Sequence, residues 1–138
     1  MTSGQFRIAK NIDSDPLPFG SLRWLCHPAS TAARQLSIIE ATLNVGEGHA
    51  FHLHPEQEEM IYILAGEVEQ WIGKEKRILV PGDAAFVPAG TVHASYTAGN
   101  VPSRLLAIFG PSVGKGFTAE EVADAAPWKD MRMPGLNS

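Results

Sequence analysis

Two histidines stand one residue apart in the stretch HLHPEQEE, which covers residues 52 to 59 and precedes the apolar run MIYILAG. Side chains alternate between the two faces of a strand, so His52 and His54 would project to the same side and Leu53 to the other. Neutral imidazole is a ligand that zinc, copper, iron and nickel all accept. The spacing therefore predicts that both rings can reach one metal ion.

A carboxylate follows the two histidines. If Ile61 and Ile63 of the apolar run face an interior, strand alternation places Glu59 on that same face. An isolated buried carboxylate is costly, and it is normally protonated or paired with a cation, which a metal held by the histidines would supply. Glu58 has the opposite parity. We therefore prefer Glu59 as the ligand and expect Glu58 to face solvent.

A third histidine, His93, comes after the stretch GDAAFVPAGTV and opens a further predicted strand. Inward-facing residues of several strands converge in a closed barrel, so ligands that are distant in sequence can share one centre. Three imidazoles and one carboxylate would hold one divalent transition metal (iron, manganese, nickel, zinc or copper) and leave about two positions of an octahedron for water or substrate. The alternative is a set of hydrogen-bonded histidines without metal.

The elements that must position these residues are strands. Short runs rich in Val, Ile, Leu and Phe lie between ten prolines and thirteen glycines, a rhythm typical of all-β proteins. Thr118 and Glu121 form a capping box ahead of Pro127, which predicts a short C-terminal helix. The expected strands cover residues 22–26, 35–45, 50–54, 59–66, 67–72, 76–80, 83–89, 92–97 and 104–110.

The chain of 138 residues is expected to form one domain. An N-terminal strand or extension (residues 1–34) would pack on a barrel core (residues 35–112), followed by the C-terminal helix and tail (residues 113–138). The net charge is −4 and the eleven Lys and Arg are scattered, so we expect no nucleic-acid partner. One cysteine, no signal peptide and no stretch of roughly 20 apolar residues lead us to expect a soluble, cytoplasmic protein with no membrane partner.

Two spaced motifs carry a family resemblance. The first, GEGHAFHLHPEQEEMIYILAG, covers residues 46–66, and the second, GDAAFVPAGTVHASYT, covers residues 82–97. With both motifs in order, the sequence resembles the cupin superfamily, in its small single-domain, metal-binding form. The family often has Asn where Thr97 stands, a position that is not usually a ligand. The resemblance implies a jelly-roll barrel (a double-stranded β-helix) whose metal ligands would be His52, His54, Glu59 and His93.

Other positions could complete a substrate pocket, and one could move protons. Gln70 would hydrogen-bond a ligand or serve the barrel's own structure, and the hydroxyls of Ser95 and Thr97 could donate to a ligand or simply belong to strands. His49 could carry a proton at the pocket rim, since its unperturbed pKa lies near neutrality, although we prefer a surface-loop position for it. The pocket candidates are Ile61, Gln70, Phe86, Ser95 and Thr97, with Phe86 expected in the core.

An open metal face can orient a bidentate substrate, such as an enediol or a β-diketone, and pass electrons between it and dioxygen. The leading hypothesis is therefore a mononuclear, dioxygenase-like metalloenzyme acting on a small oxygenated substrate. A non-redox isomerase, cyclase or lyase is one alternative, and a non-catalytic binding or sensor module is another. The apolar outer face of the strand that carries Met60, Tyr62 and Leu64 predicts a homodimer.

Overall fold

The computed structural model describes residues 3–132. Within that range the chain forms eleven strands, a four-residue helix α1 (Pro28–Thr31) and two short 3-10 turns (Ala9–Asn11 and Trp128–Asp130). The strands are β1 (Asp15–Leu17), β2 (Gly20–Cys26), β3 (Ser37–Leu43), β4 (Gly48–Leu53), β5 (Glu58–Ala65), β6 (Glu67–Ile72), β7 (Glu75–Leu79), β8 (Ala84–Val87), β9 (His93–Ala98), β10 (Ser103–Gly110) and β11 (Glu120–Glu121).

Two antiparallel sheets enclose the core. The six-stranded sheet has the order β1-β2-β3-β10-β5-β8, and the five-stranded sheet has the order β11-β4-β9-β6-β7. Alternate residues of β3 and β5 are buried, as a strand with one face on a core requires. This arrangement confirms the expected all-β jelly-roll class. The core between the sheets includes Ile39, Leu43, Ile61, Ile63, Val68, Val87, Leu105 and Phe109.

The prediction of a C-terminal helix from the capping box is wrong. Glu120 and Glu121 instead form β11, which pairs with β4 at Leu53 and His52. The next residue, Val122, donates its backbone N–H to the carbonyl of Phe51 at 3.0 Å. Pairing with an open strand edge and burial of apolar side chains outweigh a local capping signal here. Residues 133–138 of the expected tail lie outside the described residues.

A second apolar cluster lies on the outer face of the five-stranded sheet. Phe51, Trp71 and Ala94 form it, and the C-terminal segment (residues 111–132) covers it with side chains that include Trp128. The buried Glu69 carboxylate joins the two layers, because it accepts hydrogen bonds from Trp71 Nε1 at 2.8 Å and from Arg132 Nε at 2.7 Å. The C-terminal segment is therefore tied to the barrel along its length.

The outer face of β5 and β8 stays exposed. Phe86, expected in the core and the pocket, is 47% exposed, because β8 turns Ala85 and Val87 inward and Phe86 outward. Phe86 lies opposite Met60 in the β5–β8 pairing, and Tyr62 is exposed on the same face. The homodimer that this face suggests stays a prediction. In residues 3–132 no helix has the length and apolar character needed to cross a membrane.

Candidate metal centre

Three strands and one strand end bring four ionisable side chains together. His52 lies on β4, Glu59 on β5 and His93 on β9, and His54 directly follows β4. The β4–β9 register sets His52 opposite His93, while Glu59 reaches in from the other sheet. All four residues are buried, and each offers a ligand atom within 4.8 Å of the others. The structure thus assembles the four residues that the sequence predicted as ligands.

Backbone carbonyls fix the orientation of two of the rings. His52 Nδ1 lies 2.7 Å from the carbonyl of Ala50, and His93 Nδ1 lies 2.9 Å from that of Thr91. A carbonyl oxygen only accepts, so both Nδ1 atoms carry the proton and donate it. The Nε2 atom of each ring therefore points toward the shared centre, which is the arrangement found for metal-binding histidines.

The Glu59 carboxylate is where the nitrogens converge. Its Oε1 lies 3.2 Å from His54 Nε2 and 2.9 Å from His93 Nε2. Three imidazoles and a carboxylate form a donor set suited to a divalent transition metal. The residues present therefore fit the metal that the cupin resemblance implies.

The electrostatics of the cluster set the charge states. Burial alone would raise the pKa of Glu59, but hydrogen bonds from His54 and His93 outweigh it and lower the pKa to about 2. Burial also opposes a charge on His93, yet the hydrogen bond to Glu59 raises the pKa of that ring. Burial lowers the pKa of His52 well below its usual value. Glu59 is therefore an anion and His52 a neutral imidazole, while Glu59 favours a proton on His93 that would compete with a metal.

His49 lies inside the site, so the preferred surface-loop interpretation is wrong. It pairs with Ser95 while His52 pairs with His93, a one-residue shift that marks a β-bulge in β4 and turns His49 to the same side as His52. The two rings stack with centroids 3.6 Å apart. His49 Nε2 lies 2.9 Å from Glu121 Oε1. Burial lowers the pKa of His49, although Glu121 acts in the opposite direction.

A cavity of about 400 Å³ opens above the four clustered residues and runs between the sheets. Its polar end is the histidine cluster, and its rim carries a 3.2 Å ion pair between Lys115 and Asp15, both about half exposed. Most of the remaining wall is apolar, and its aromatic members are Phe19, Trp24, Phe109 and Phe117. The cavity therefore suits a molecule with an apolar or aromatic body and a polar end.

The other predicted pocket residues separate into two groups. Ile61 and Ser95 line the cavity. Gln70 is buried behind Ser95, to which it is hydrogen-bonded, and it lines a smaller cavity of about 300 Å³. Thr97 instead bonds the barrel itself, since its hydroxyl donates to the Leu43 carbonyl at 2.8 Å.

Sequence reasoning missed the contribution of the C-terminal segment. Glu121 reaches His49, Phe117 packs on the His54 ring with centroids 4.8 Å apart, and Lys115 lies at the rim. The capping box had assigned Glu121 to a helix start. No local signal indicates that a two-residue strand pairs with β4, because the pairing depends on the tertiary fold.

The chain matches one protein family and resembles several known proteins in sequence and in fold. The sequence profile of the family described as Cupin domain matches residues 39–109. Protein SchB of Streptomyces halstedii is 30% identical over 133 residues, which span 92% of this chain and 96% of SchB. Quercetin 2,3-dioxygenase of Bacillus subtilis is 39% identical over 66 residues, which span 46% of this chain and 19% of that enzyme. The solved structure of KdgF from Halomonas sp. superimposes with a TM-score of 0.74 at 25% identity, covering 83% of this chain and 100% of KdgF.

Proposed function

This chain belongs to the Cupin domain family, and on that premise we propose that it is a mononuclear, dioxygenase-like metalloenzyme that acts on a small, largely apolar oxygenated molecule. One observation carries the proposal: the buried cluster of three histidines and Glu59 closes one end of an apolar, aromatic-walled cavity. The fold by itself does not choose an activity, since one scaffold hosts many.

The residues of the site have separable tasks. His52, His54, Glu59 and His93 would hold the metal. When bound, a divalent metal orients and polarises an oxygen-bearing substrate and, if it is redox-active, lets that substrate react with dioxygen. The carbonyls of Ala50 and Thr91 hold two rings in the binding orientation. The anionic Glu59 offsets part of the ion's charge inside the barrel.

The cavity wall supports an aromatic substrate. Trp24, Phe109 and Phe117 present aromatic surfaces that exclude water and can pack against a planar ring. Quercetin 2,3-dioxygenase is named for an aromatic substrate and for oxygen chemistry, and it matches this chain over 66 residues. The sequence match and the aromatic cavity wall both favour an aromatic substrate.

One observation favours a second candidate, a non-redox isomerase, cyclase or lyase. His49 lines the cavity beside His52, burial favours its neutral form, and Glu121 holds its Nε2. A neutral imidazole fixed by a carboxylate is an arrangement suited to a general base. Such a base beside a Lewis-acidic metal would move a proton without dioxygen.

Oxygen consumption separates the candidates. Metal-free protein is loaded anaerobically with iron(II) or zinc and mixed with quercetin or acetylacetone, and dioxygen uptake and product formation are followed. The proposal predicts uptake with iron, its loss in His93→Ala, and its retention in Glu58→Gln, which changes an exposed neighbour of Glu59. Turnover with zinc in the absence of dioxygen would replace the proposal with the second candidate. Thermal stabilisation by either compound without turnover would identify a binding module instead.

A further inference from the structure

We propose that Ser95 is a hydrogen-bond acceptor that selects substrates carrying a hydroxyl group beside their metal-binding oxygens, an inference that rests on the proposed metal site. Ser95 lies on β9 two residues after His93, on the same face, and lines the cavity. Across the β4–β9 pair it faces His49, whose ring stacks on His52. Ser95 is therefore a polar group next to the metal cluster that the metal itself does not use.

The Gln70 side chain fixes which way the Ser95 hydroxyl points. One end of the Gln70 amide lies 3.1 Å from the carbonyl of Trp71, and because a carbonyl only accepts, that end must be the amino group. The opposite end is then the amide oxygen, and it lies 2.6 Å from Ser95 Oγ. An amide oxygen also only accepts, so Ser95 must donate its proton to Gln70. The reversed amide would bring two oxygens face to face at Trp71.

Because Ser95 donates its only hydroxyl proton to Gln70, its oxygen can only accept a hydrogen bond from a molecule in the cavity. A hydroxyl group carries one proton and can accept through the remaining lone pairs. A substrate hydroxyl placed there donates to Ser95, whereas an ether or carbonyl oxygen would confront another acceptor and lose its solvation without compensation. Together with the aromatic wall, this geometry points to a substrate with an apolar ring, a chelating oxygen pair and an adjacent hydroxyl.

Three matched phenols test the inference by equilibrium binding. Zinc-loaded protein is titrated without dioxygen by calorimetry with catechol, pyrogallol or 3-methoxycatechol. Each offers a vicinal oxygen pair, but beside that pair pyrogallol has a donor and 3-methoxycatechol has only an acceptor. We expect pyrogallol to bind at least about 10-fold tighter than 3-methoxycatechol, beyond the statistical gain from its second chelating pair.

Substitutions test whether Ser95 causes the preference for pyrogallol over 3-methoxycatechol. Ser95→Ala should abolish the preference, and Gln70→Leu should weaken it because the hydroxyl is then free to donate. Thr97→Val is the matched control, since Thr97 lies on the same strand and face but its hydroxyl bonds the Leu43 carbonyl; it should retain the preference. Catechol binding by each variant reports that it is folded and loaded.

The outcomes keep the two proposals apart. If catechol binds wild type no tighter than His93→Ala, the metal site fails and the Ser95 inference fails with it. If catechol binding requires His93 but wild type does not distinguish pyrogallol from 3-methoxycatechol, only the Ser95 inference is overturned. A preference that survives in Ser95→Ala would overturn it as well.

Discussion

At the centre of the site one carboxylate oxygen, Glu59 Oε1, contacts two imidazoles inside a largely apolar barrel. Buried ion pairs contribute little net stability, because desolvation of both charges offsets their attraction. The pair formed by Glu59 and His93 is therefore better explained by metal binding than by folding. Backbone carbonyls fix the rings of His52 and His93 so that their Nε2 atoms point toward the same centre, which supports this interpretation.

The pKa of His93 predicts how metal binding depends on pH. Burial opposes a charge on His93, but the hydrogen bond to Glu59 raises its pKa above the usual 6.5, so a proton on this ring competes with the metal. The stability that this proton contributes is fully present below 6.5 and is lost as pH rises through the folded-state pKa. As pH rises, the metal-free protein loses this stability and zinc meets less competition from protons. The zinc-induced rise in Tm should therefore grow as pH increases from about 5 to about 8.

Calorimetric scans of zinc-loaded and chelator-treated protein at several pH values measure that rise in Tm directly. Glu58→Gln supplies the control, because Glu58 is an exposed neighbour of Glu59 outside the ligand set, and this variant should keep the pH dependence. A zinc-induced rise in Tm that is the same at both ends of the pH range would show that no proton is displaced from His93.

Three of the four ligands could be predicted from strand parity within one short motif, whereas His93 was predicted from the second motif and the resemblance to the cupin superfamily. A single residue separates His52 from His54, and Glu59 shares the parity of the buried Ile61. His49 could not be placed in the same way. It lies three positions before His52, so regular alternation puts the two rings on opposite faces, and only the bulge in β4 brings them together.

At the level of elements, β4 approaches β9 closely at Gly48, just before the bulge. A Cβ added there would overlap the carbonyl of Ser95 and lie 2.6 Å from Tyr96 Cα, both backbone atoms that a neighbour cannot move aside cheaply. Gly48→Ala should therefore lower the free energy of unfolding by about 1–3 kcal/mol. Chemical denaturation monitored by tryptophan fluorescence gives this value.

Gly114→Ala is the matched substitution, since a Cβ at Gly114 has open space around it. It should change the free energy of unfolding by less than about 0.5 kcal/mol. Equal denaturation midpoints for the two variants would mean that β4 and β9 can separate at Gly48 without cost, which would contradict the close approach seen there.

Strands with strong alternation were predictable, and short ones were not. The nine expected strands all form, with bounds that shift by a few residues at most. β1 and β11 contain three and two residues, too few to display a period of two. β11 forms because the edge of β4 offers unpaired backbone groups and because Trp128 packs on the Phe51 cluster. Neither cause is visible in the local sequence of residues 118–127.

At the scale of the whole molecule, the hydrophobic core between the sheets extends well beyond the metal cluster. Its members, among them Leu43, Ile63 and Val68, are almost completely buried against other apolar side chains. Chelation should therefore leave the barrel folded. Far-ultraviolet circular dichroism of chelated protein should match that of loaded protein, while Tm falls by about 5–10 °C relative to protein in zinc at about 100 times its Kd.

Loss of the β-sheet signal on chelation would contradict this prediction, since it would make the metal a requirement for folding. The His93→Ala variant provides an independent comparison. Its Tm should equal that of chelated wild type to within the effect of the substitution, and it should not respond to added zinc.

The most direct test of the account is the position of a metal ion in crystals of loaded protein, located by anomalous scattering at the absorption edge of the metal. We predict one strong peak at bonding distance from the Nε2 atoms of His52, His54 and His93 and from a carboxylate oxygen of Glu59. A peak confined to His49 and Glu121, or no peak among the four buried residues, would contradict the central claim.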